Sequence, residues 1–333
     1  MATKSMVTGS EGFVGRHLVA ALIARGDEVS AVDVAETPHR GDMRYTQLDI
    51  RDAVRTRELM AGHDVVFHNA SVVHTRQTAA EMVHDVNAGG TQTVIAGCRE
   101  HAVPRLVYVS SASVVYEGRD IEAGDESLPY ARKSQAPYAD SKIAAERAVL
   151  AANGLGLATC AIRPHVIFGP GDTRFLPAIL GRARAGKLGT GVGMRRKLSD
   201  FTYITNLIDG LLAADVALRT EGAAAAGEAY FVTNGEPRVF FDFVGQVLAG
   251  LELPPVRRHV PFRLAYTVAG AAELLDRLRG RELVPETGMS RFAIRYLCTH
   301  HYFRIEKAKR DLDWSPAVGL DEGIERTLAT LRA

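Results

Sequence analysis

The chain has little cysteine: three residues in 333, Cys98, Cys160 and Cys298. They are scattered and odd in number, with no CxxC pair and no Cys/His cluster. Neither a disulfide framework nor a metal site is expected. An excess of charge is also missing, with 40 Lys and Arg against 39 Asp and Glu and a net charge of +1. That leaves no basic stripe of the kind nucleic acid requires, and no nucleic-acid partner is expected. No uncharged apolar run reaches the ~18 residues of a spanning helix. The strand-like Ser5-Met6-Val7 stands almost at the start, so no signal peptide and a cytoplasmic location are expected.

What is present is an α/β rhythm. Short apolar runs at Lys4–Thr8, Glu28–Asp33, Asp64–Asn69, Arg105–Ser110 and Ala158–Arg163 alternate with helical spacing at Val14–Arg25, Glu81–Arg99 and Pro137–Ala152. Strands that are apolar throughout predict a parallel sheet covered on both faces, a Rossmann-like doubly wound fold. The rhythm breaks after about Gly169. A cofactor domain over 1–170 is expected, rejoined by 200–235, with a smaller C-terminal substrate-binding cap formed by 171–199 and 236–333.

The first strand runs into Gly9, Gly12 and Gly15, spaced Gly-x-x-Gly-x-x-Gly, before a helix that opens with Phe13 and Val14. Glycines there permit a tight turn, close approach of a pyrophosphate and packing of helix on sheet, and the helix N-terminus favours an anion. Asp33 closes the second strand, where a carboxylate accepts hydrogen bonds from ribose hydroxyls and repels a 2′-phosphate. NAD is therefore favoured. Arg40 and Arg44 follow within reach of a 2′-phosphate, which keeps NADP open. Asp49 and Ile50, after another short apolar segment, are candidates to cap the adenine.

Tyr138 and Lys142 stand four apart, on one face of a helix that Pro137 opens. A phenol with an ordinary pKa of ~10 is a poor base at neutral pH. A neighbouring ammonium favours the phenolate, and the pair then suits removal or delivery of a hydroxyl proton while hydride moves. The strand Leu106–Val109 ends in Ser110 and Ser111, and ligands of parallel sheets bind at such carboxyl ends.

Taken together these motifs resemble the extended short-chain dehydrogenase/reductase family: the glycine turn, Phe67-His-Asn-Ala70, Val86-Asn-x-x-Gly-Thr91, Ser110-Ser111, Tyr138-x-x-x-Lys142 and Arg163-Pro164. The resemblance covers essentially the whole chain. It implies a catalytic set of Ser111, Tyr138 and Lys142, cofactor contacts at Asn69, Ala70 and Pro164 to Val166, and Asn87 as a buttress on the lysine side. Longer segments resemble the 3β-hydroxysteroid dehydrogenase branch, and most of all its sterol-4α-carboxylate 3-dehydrogenases (decarboxylating). They are Ser110–Gly118, Leu128–Tyr130, Glu146–Asn153, Ala161–Pro170, Asp200–Tyr203 and Thr233-Asn234. That branch implies NAD-dependent oxidation of a 3β-hydroxyl on a steroid or sterol, with loss of a C4 carboxyl, and a homodimer built through the Glu81–Arg99 and Pro137–Ala152 helices.

Other readings stay open on sequence: an NADPH-dependent 2-alkyl-3-ketoacid reductase, a nucleotide-sugar epimerase or dehydratase, and a redox-silent NAD sensor. Ser199 stands where nucleotide-sugar enzymes of this fold usually carry a diphosphate-binding arginine, which weighs against a nucleotide-sugar enzyme. Arg195, Arg196 and Lys197 lie close by as receivers of a substrate carboxylate or as a solvated loop. Phe168, Phe175, Leu176, Phe201, Phe240 and Phe262 are candidates for an apolar pocket, with ordinary core the favoured reading for each taken singly. Residues 260–278 are apolar but far too short to span, with Arg257, Arg258 and His259 before them and Arg277, Arg279 and Arg281 at their end. This is the candidate for peripheral membrane contact.

Overall fold

The computed structural model describes residues 2–74, 79–133, 136–193, 197–220, 222–278 and 290–332, except the side chains of Asp276 and Arg277. The first half contains β1 (Lys4–Thr8), α1 (Phe13–Arg25), β2 (Glu28–Asp33), β3 (Arg44–Gln47), α2 (Ala53–Glu58), β4 (Val65–His68), α3 (Ala80–His84), α4 (Gly90–Glu100), β5 (Arg105–Val109), β6 (Ile121–Gly124), α5 (Pro137–Ala151) and β7 (Ala158–Pro164). The second half contains β8 (Ile167–Phe168), α6 (Phe175–Arg184), β9 (Thr190–Val192), β10 (Leu198–Ser199), β11 (Thr202–Tyr203), α7 (Ile204–Ala217) and β12 (Glu228–Val232). It ends with β13 (Arg238–Val239), α8 (Phe240–Gly250), β14 (Arg258–Val260), α9 (Phe262–Leu278), α10 (Arg291–Leu297), β15 (His301–Phe303), α11 (Glu306–Asp311) and α12 (Leu320–Arg332).

Seven strands make the main sheet, in the order β12-β7-β5-β4-β1-β2-β3 and parallel throughout. Alternation along each strand feeds two cores. Val7, Val65, Phe67 and Val107 pack with Leu18, Leu22, Leu207 and Leu211 of α1 and α7. Met6, Val66, Leu106 and Tyr108 pack with Val94, Cys98 and Val149 of α4 and α5 on the other face. The strand order reverses between β1 and β4, so a crevice opens at the carboxyl ends of β1, β4 and β5. Glu228–Val232 pairs with Ala158–Pro164 at the sheet edge.

The structure corrects one expectation and decides between two readings of another. The helix expected over 81–99 is interrupted by a π-turn at Asp85–Gly89. The interruption turns Asn87 towards the crevice, and Gly90 beyond it lets the chain lie on Ile50, whose Cδ1 would stand 2.4 Å from a Cβ at that position. The phenylalanines named as pocket candidates follow the reading favoured for each of them singly and, Phe262 apart, fill a core. Phe201 stacks on Phe243 with ring centroids 4.0 Å apart, and Phe168, Phe175 and Phe240 pack around them. Leu176 belongs to the same core, whereas Phe262 sits exposed on α9. The cause is tertiary: α6, α8 and β11 close over β8, and burying large aromatic area between them outweighs leaving a cavity.

Apart from the main sheet stand a four-stranded sheet, β13-β10-β15-β6, and the α9–α10 pair. Ala269 and Ile294 of that pair pack on Val192. No helix among the described residues is long and apolar enough to cross a membrane.

Candidate active site

The three glycines of the first turn have three separate reasons to be glycine. Gly9 has φ +71, and a Cβ there would lie 2.7 Å from the Ala70 backbone. A Cβ on Gly15 would lie 2.1 Å from the Gly9 carbonyl oxygen, so this position seats α1 on the turn. A Cβ on Gly12 would meet only that same oxygen, at an ordinary 3.4 Å. No protein atom requires glycine at position 12. The space it leaves open faces the N-terminus of α1, where no side chain caps the helix and the first amides, at Phe13 and Val14, have no intrahelical partner. An uncapped helix N-terminus with no side chain over it suits the negative charge of a dinucleotide's pyrophosphate.

Asp33 lies across the turn, accepting from the Glu11 amide at 2.9 Å and the Ala35 amide at 3.1 Å, which holds its carboxylate at the end of β2. Arg40 is held by Asp42 in a two-bond ion pair, and Arg44 opens β3. Asn69 donates to the Gly9 carbonyl at 2.9 Å, and the Ala70 amide donates to Thr8 Oγ1 at 3.2 Å, so both brace the turn. Asp49 is engaged by Arg51 at 2.6 Å, and Ile50 is buried under Gly90.

The second cluster forms where β5 ends against α5. Lys142 Nζ donates to the Val109 carbonyl at 2.8 Å and stands 6.0 Å from the Tyr138 ring centroid. Burial pulls the ammonium down to about 7, against the opposing field of Glu146. Tyr138 is raised by burial, while a hydrogen bond with Ser111 and the charge of Arg174 favour its ionised form. Ser113 donates to Ser111 Oγ at 2.9 Å and orients it. The structure therefore brings Ser111, Tyr138 and Lys142 together. Asn87 brackets the Val72 backbone at 2.7 and 2.9 Å and donates to Ser141, beside Lys142, at 2.9 Å. Ser141 in turn donates to the Tyr138 carbonyl, so Asn87 ties the loop after β4 to the first turn of α5.

Pro164 ends β7, and Val166 follows with φ +22. Between them sits His165, inside the stretch expected to touch the cofactor but given no role of its own there. Its Nδ1 donates to the Asp200 carbonyl at 2.7 Å, so the neutral ring offers Nε2 to the Tyr296 hydroxyl at 2.6 Å. Burial, with His301, keeps His165 far below its ordinary value, and therefore neutral. Tyr296 lies within electrostatic range of Tyr138, and its ring meets Tyr116 edge-on at 4.8 Å. These aromatics pack with Phe292, and Tyr296 brings the group towards Tyr138. Nothing local in the sequence pairs residue 165 with 296. His68 was also missed: it bridges Thr8 at 2.7 Å and Thr91 at 2.8 Å, pushed down to about 3 by burial. Ser199 is buried and donates to the Asp200 carbonyl, and Lys197 is paired with Asp120 at 2.6 Å. Arg195, Arg196, Arg279 and Arg281 lie outside the described residues.

A dinucleotide cradle beside a tyrosine, a serine and a buried lysine is an arrangement for moving hydride and proton together. The profile of the 3-beta hydroxysteroid dehydrogenase/isomerase family matches residues 6–262. The chain belongs to this family. It is an oxidoreductase acting on a CH–OH group. A 2-alkyl-3-oxoalkanoate reductase of Stenotrophomonas maltophilia is 39% identical over 99% of this chain and 100% of its own length. A decarboxylating sterol-4-alpha-carboxylate 3-dehydrogenase of Mus musculus is 38% identical over 98% of this chain and 90% of its own. Among solved structures, MoeE5 in complex with UDP-glucuronic acid and NAD superposes with a TM-score of 0.77 at 23% identity, over 99% of both chains. The epimerase Mth375 of Methanothermobacter thermautotrophicus gives 0.79 at 22%, over 99% of this chain and 92% of its own. At that identity the likeness is one of fold.

Proposed function

We propose that the chain oxidises the 3β-hydroxyl of a steroid or sterol with NAD, and that a carboxyl on the adjacent C4 is lost in the process. The convergence of Ser111, Tyr138 and Lys142 at the end of β5 carries this reading. Gly9, Gly12, Phe13, Val14 and Gly15 hold the pyrophosphate and Asp33 the ribose, which selects NAD over NADP. Bound NAD supplies the hydride acceptor. Ser111 holds the substrate oxygen, Tyr138 takes the hydroxyl proton, and the Lys142 ammonium supports the phenolate. A ketone formed beside a carboxylate is a β-keto acid, whose electron pair passes into the carbonyl as carbon dioxide leaves. The Tyr138 and Ser111 hydroxyls stabilise the resulting enolate oxygen without a further cofactor.

A second reading, reduction of a 2-alkyl-3-oxo acid, is favoured by the full-length likeness to the Stenotrophomonas reductase. Both readings share one reacting unit, an oxygen-bearing carbon β to a carboxyl whose α-carbon carries alkyl. The deciding experiment offers the chain NAD or NADP with 3β-hydroxysterols with and without a 4-carboxyl, and NADPH with 2-alkyl-3-oxo acids. Reduced cofactor is followed at ~340 nm together with product mass. Cofactor reduction with the 4-carboxy sterol and a product lighter by carbon dioxide supports the first reading. Turnover of the oxo acids alone overturns it.

An apolar face on α9 fits a lipid substrate. Leu264, Val268, Leu275 and Leu278 lie exposed along one side of the helix, while Ala265 and Ala269 face the cap. This face rests on a membrane interface in our reading, shortening the path from bilayer to site. Co-sedimentation with liposomes tests it, and failure to bind at low salt removes it. A homodimer through the α3–α4 and α5 helices completes the proposal, and sedimentation velocity checks it.

A further inference from the structure

Tyr138, Lys142 and Glu146 follow one another at intervals of four along α5 and share one helix face. Glu146 is fully buried. It accepts from Ser110 Oγ at 2.5 Å and from Arg163 through Nη2 at 2.6 Å and Nε at 3.1 Å. Ser110 is flanked on one side by Val109, whose carbonyl holds Lys142, and on the other by Ser111, which bonds Tyr138. One carboxylate thus fixes the strand end from which both contacts of the site depart.

We infer that Glu146 is a positioning residue: it pins the end of β5 through Ser110 and, by its negative field, keeps Lys142 cationic. Arg163 sets the strength of that field by neutralising part of it. The groups facing Lys142 can be named element by element. From β4 comes His68, kept neutral by burial; from β5, the Tyr108 ring at 4.8 Å; from α5, Tyr138 and Glu146. Arg163, on β7, stands behind Glu146 with the Tyr130 ring against it. In this set Glu146 is the group whose charge opposes the loss of the Lys142 proton. A buried ammonium without such a counter-charge gives up its proton readily.

An ion pair that merely held the fold together would give the same kind of damage whichever partner was removed. The electrostatic role gives opposite signs. In alcohol oxidation the rate falls as pH rises through the loss of the Lys142 proton. Glu146→Gln leaves Arg163 as an uncompensated cation and should move this falling limb down by roughly one pH unit. Arg163→Gln leaves Glu146 uncompensated and should hold the limb in place or raise it. Glu146→Asp keeps the anion and should retain the wild-type limb.

The measurement is kcat/KM against pH with any alcohol that the wild-type chain oxidises, so failure of the sterol reading leaves the test intact. Circular dichroism and cofactor affinity report folding. A limb lowered in Glu146→Gln and not lowered in Arg163→Gln supports the inference. A limb unmoved in Glu146→Gln, or lowered in both variants, overturns it. Should Glu146→Gln not fold, Arg163→Gln decides alone: a lowered limb overturns the inference, and an unmoved or raised one supports it.

Discussion

Substituting Gly12 and Gly15 separately distinguishes a cofactor cradle from a mere chain reversal. An alanine methyl at position 15 would stand 2.1 Å from the Gly9 oxygen and 2.7 Å from Ser10 Cα, both rigid backbone. Ordinary contact needs over an ångström more, so α1 must lift from the turn, at about 3 kcal/mol of stability. At position 12 the methyl meets the same oxygen at 3.4 Å, and the backbone, at φ −71 and ψ 168, suits any residue. The apo cost there is the loss of a good N-cap residue, below about 1 kcal/mol. The methyl does occupy the space where a pyrophosphate must approach the helix amides, and a loss of about 2 kcal/mol corresponds to roughly a thirtyfold weaker Kd. Calorimetric titration with NAD, paired with thermal unfolding, reads both quantities. Gly12→Ala should melt near the wild type without NAD and lose most of the NAD-induced shift in Tm, which for wild type at a hundred times Kd corresponds to about 2.7 kcal/mol. Gly15→Ala should melt lower in either condition. The reasoning fails if Gly12→Ala binds NAD like the wild type, or if its apo form is destabilised as much as Gly15→Ala.

Two further outcomes follow from other parts of the molecule. Tyr138→Phe should lower turnover by about 10²–10⁴ while leaving NAD affinity within a fewfold, as read by stopped assay and titration; turnover at the wild-type rate would remove Tyr138 from proton transfer. Burial lifts Asp200 to about 7, with Oδ1 lacking a partner among the described residues, so the folded chain holds a proton there that the unfolded chain releases near its ordinary value. Stability from that proton is complete below about pH 4 and is lost as pH rises to about 7. Asp200→Asn should therefore gain about 2–3 kcal/mol relative to wild type between pH 5 and pH 8 in urea unfolding, and an equal difference at both pH values contradicts the assignment.

The sheet was legible because its strands are buried on both faces and read as unbroken apolar runs, as in Val65–His68, with helices between them at clear 3.6-residue spacing. Ser111, Tyr138 and Lys142 were legible because local geometry places them: one strand end, and one helix face. The same periodicity extends to Glu146, four residues on, and would have found it. The substrate side was not legible. Phe201 and Phe243 differ in no local way from pocket-lining residues, and only the closing of α8 over β11 makes them core. Tyr296 reaches the site from α10, across 131 residues from His165, by a hydrogen bond that no spacing rule encodes. The π-turn at Asn87 escaped notice because helical periodicity is blind to one inserted residue.

Relatives named for a dehydrogenase and for a reductase stand equally near this chain, at 38% and 39% identity. On the proposed mechanism one geometry can serve both directions. Tyr138 is a base when ionised and an acid when protonated. Burial raises Tyr138 and draws Lys142 down to about 7, so in the resting site both shifts favour the protonated phenol, the form needed to deliver a proton to a carbonyl. The phenolate needs positive charge nearby: the Lys142 ammonium, and the oxidised nicotinamide when it is bound. Direction then follows from the charge state of the cofactor and from pH, with no exchange of residues between an oxidising and a reducing form of the enzyme. Below the loss of the Lys142 proton, oxidation by this chain should therefore rise with pH while reduction measured on the same substrate pair does not. A parallel pH dependence of the two directions over that range would mean that a group other than Tyr138 carries the proton.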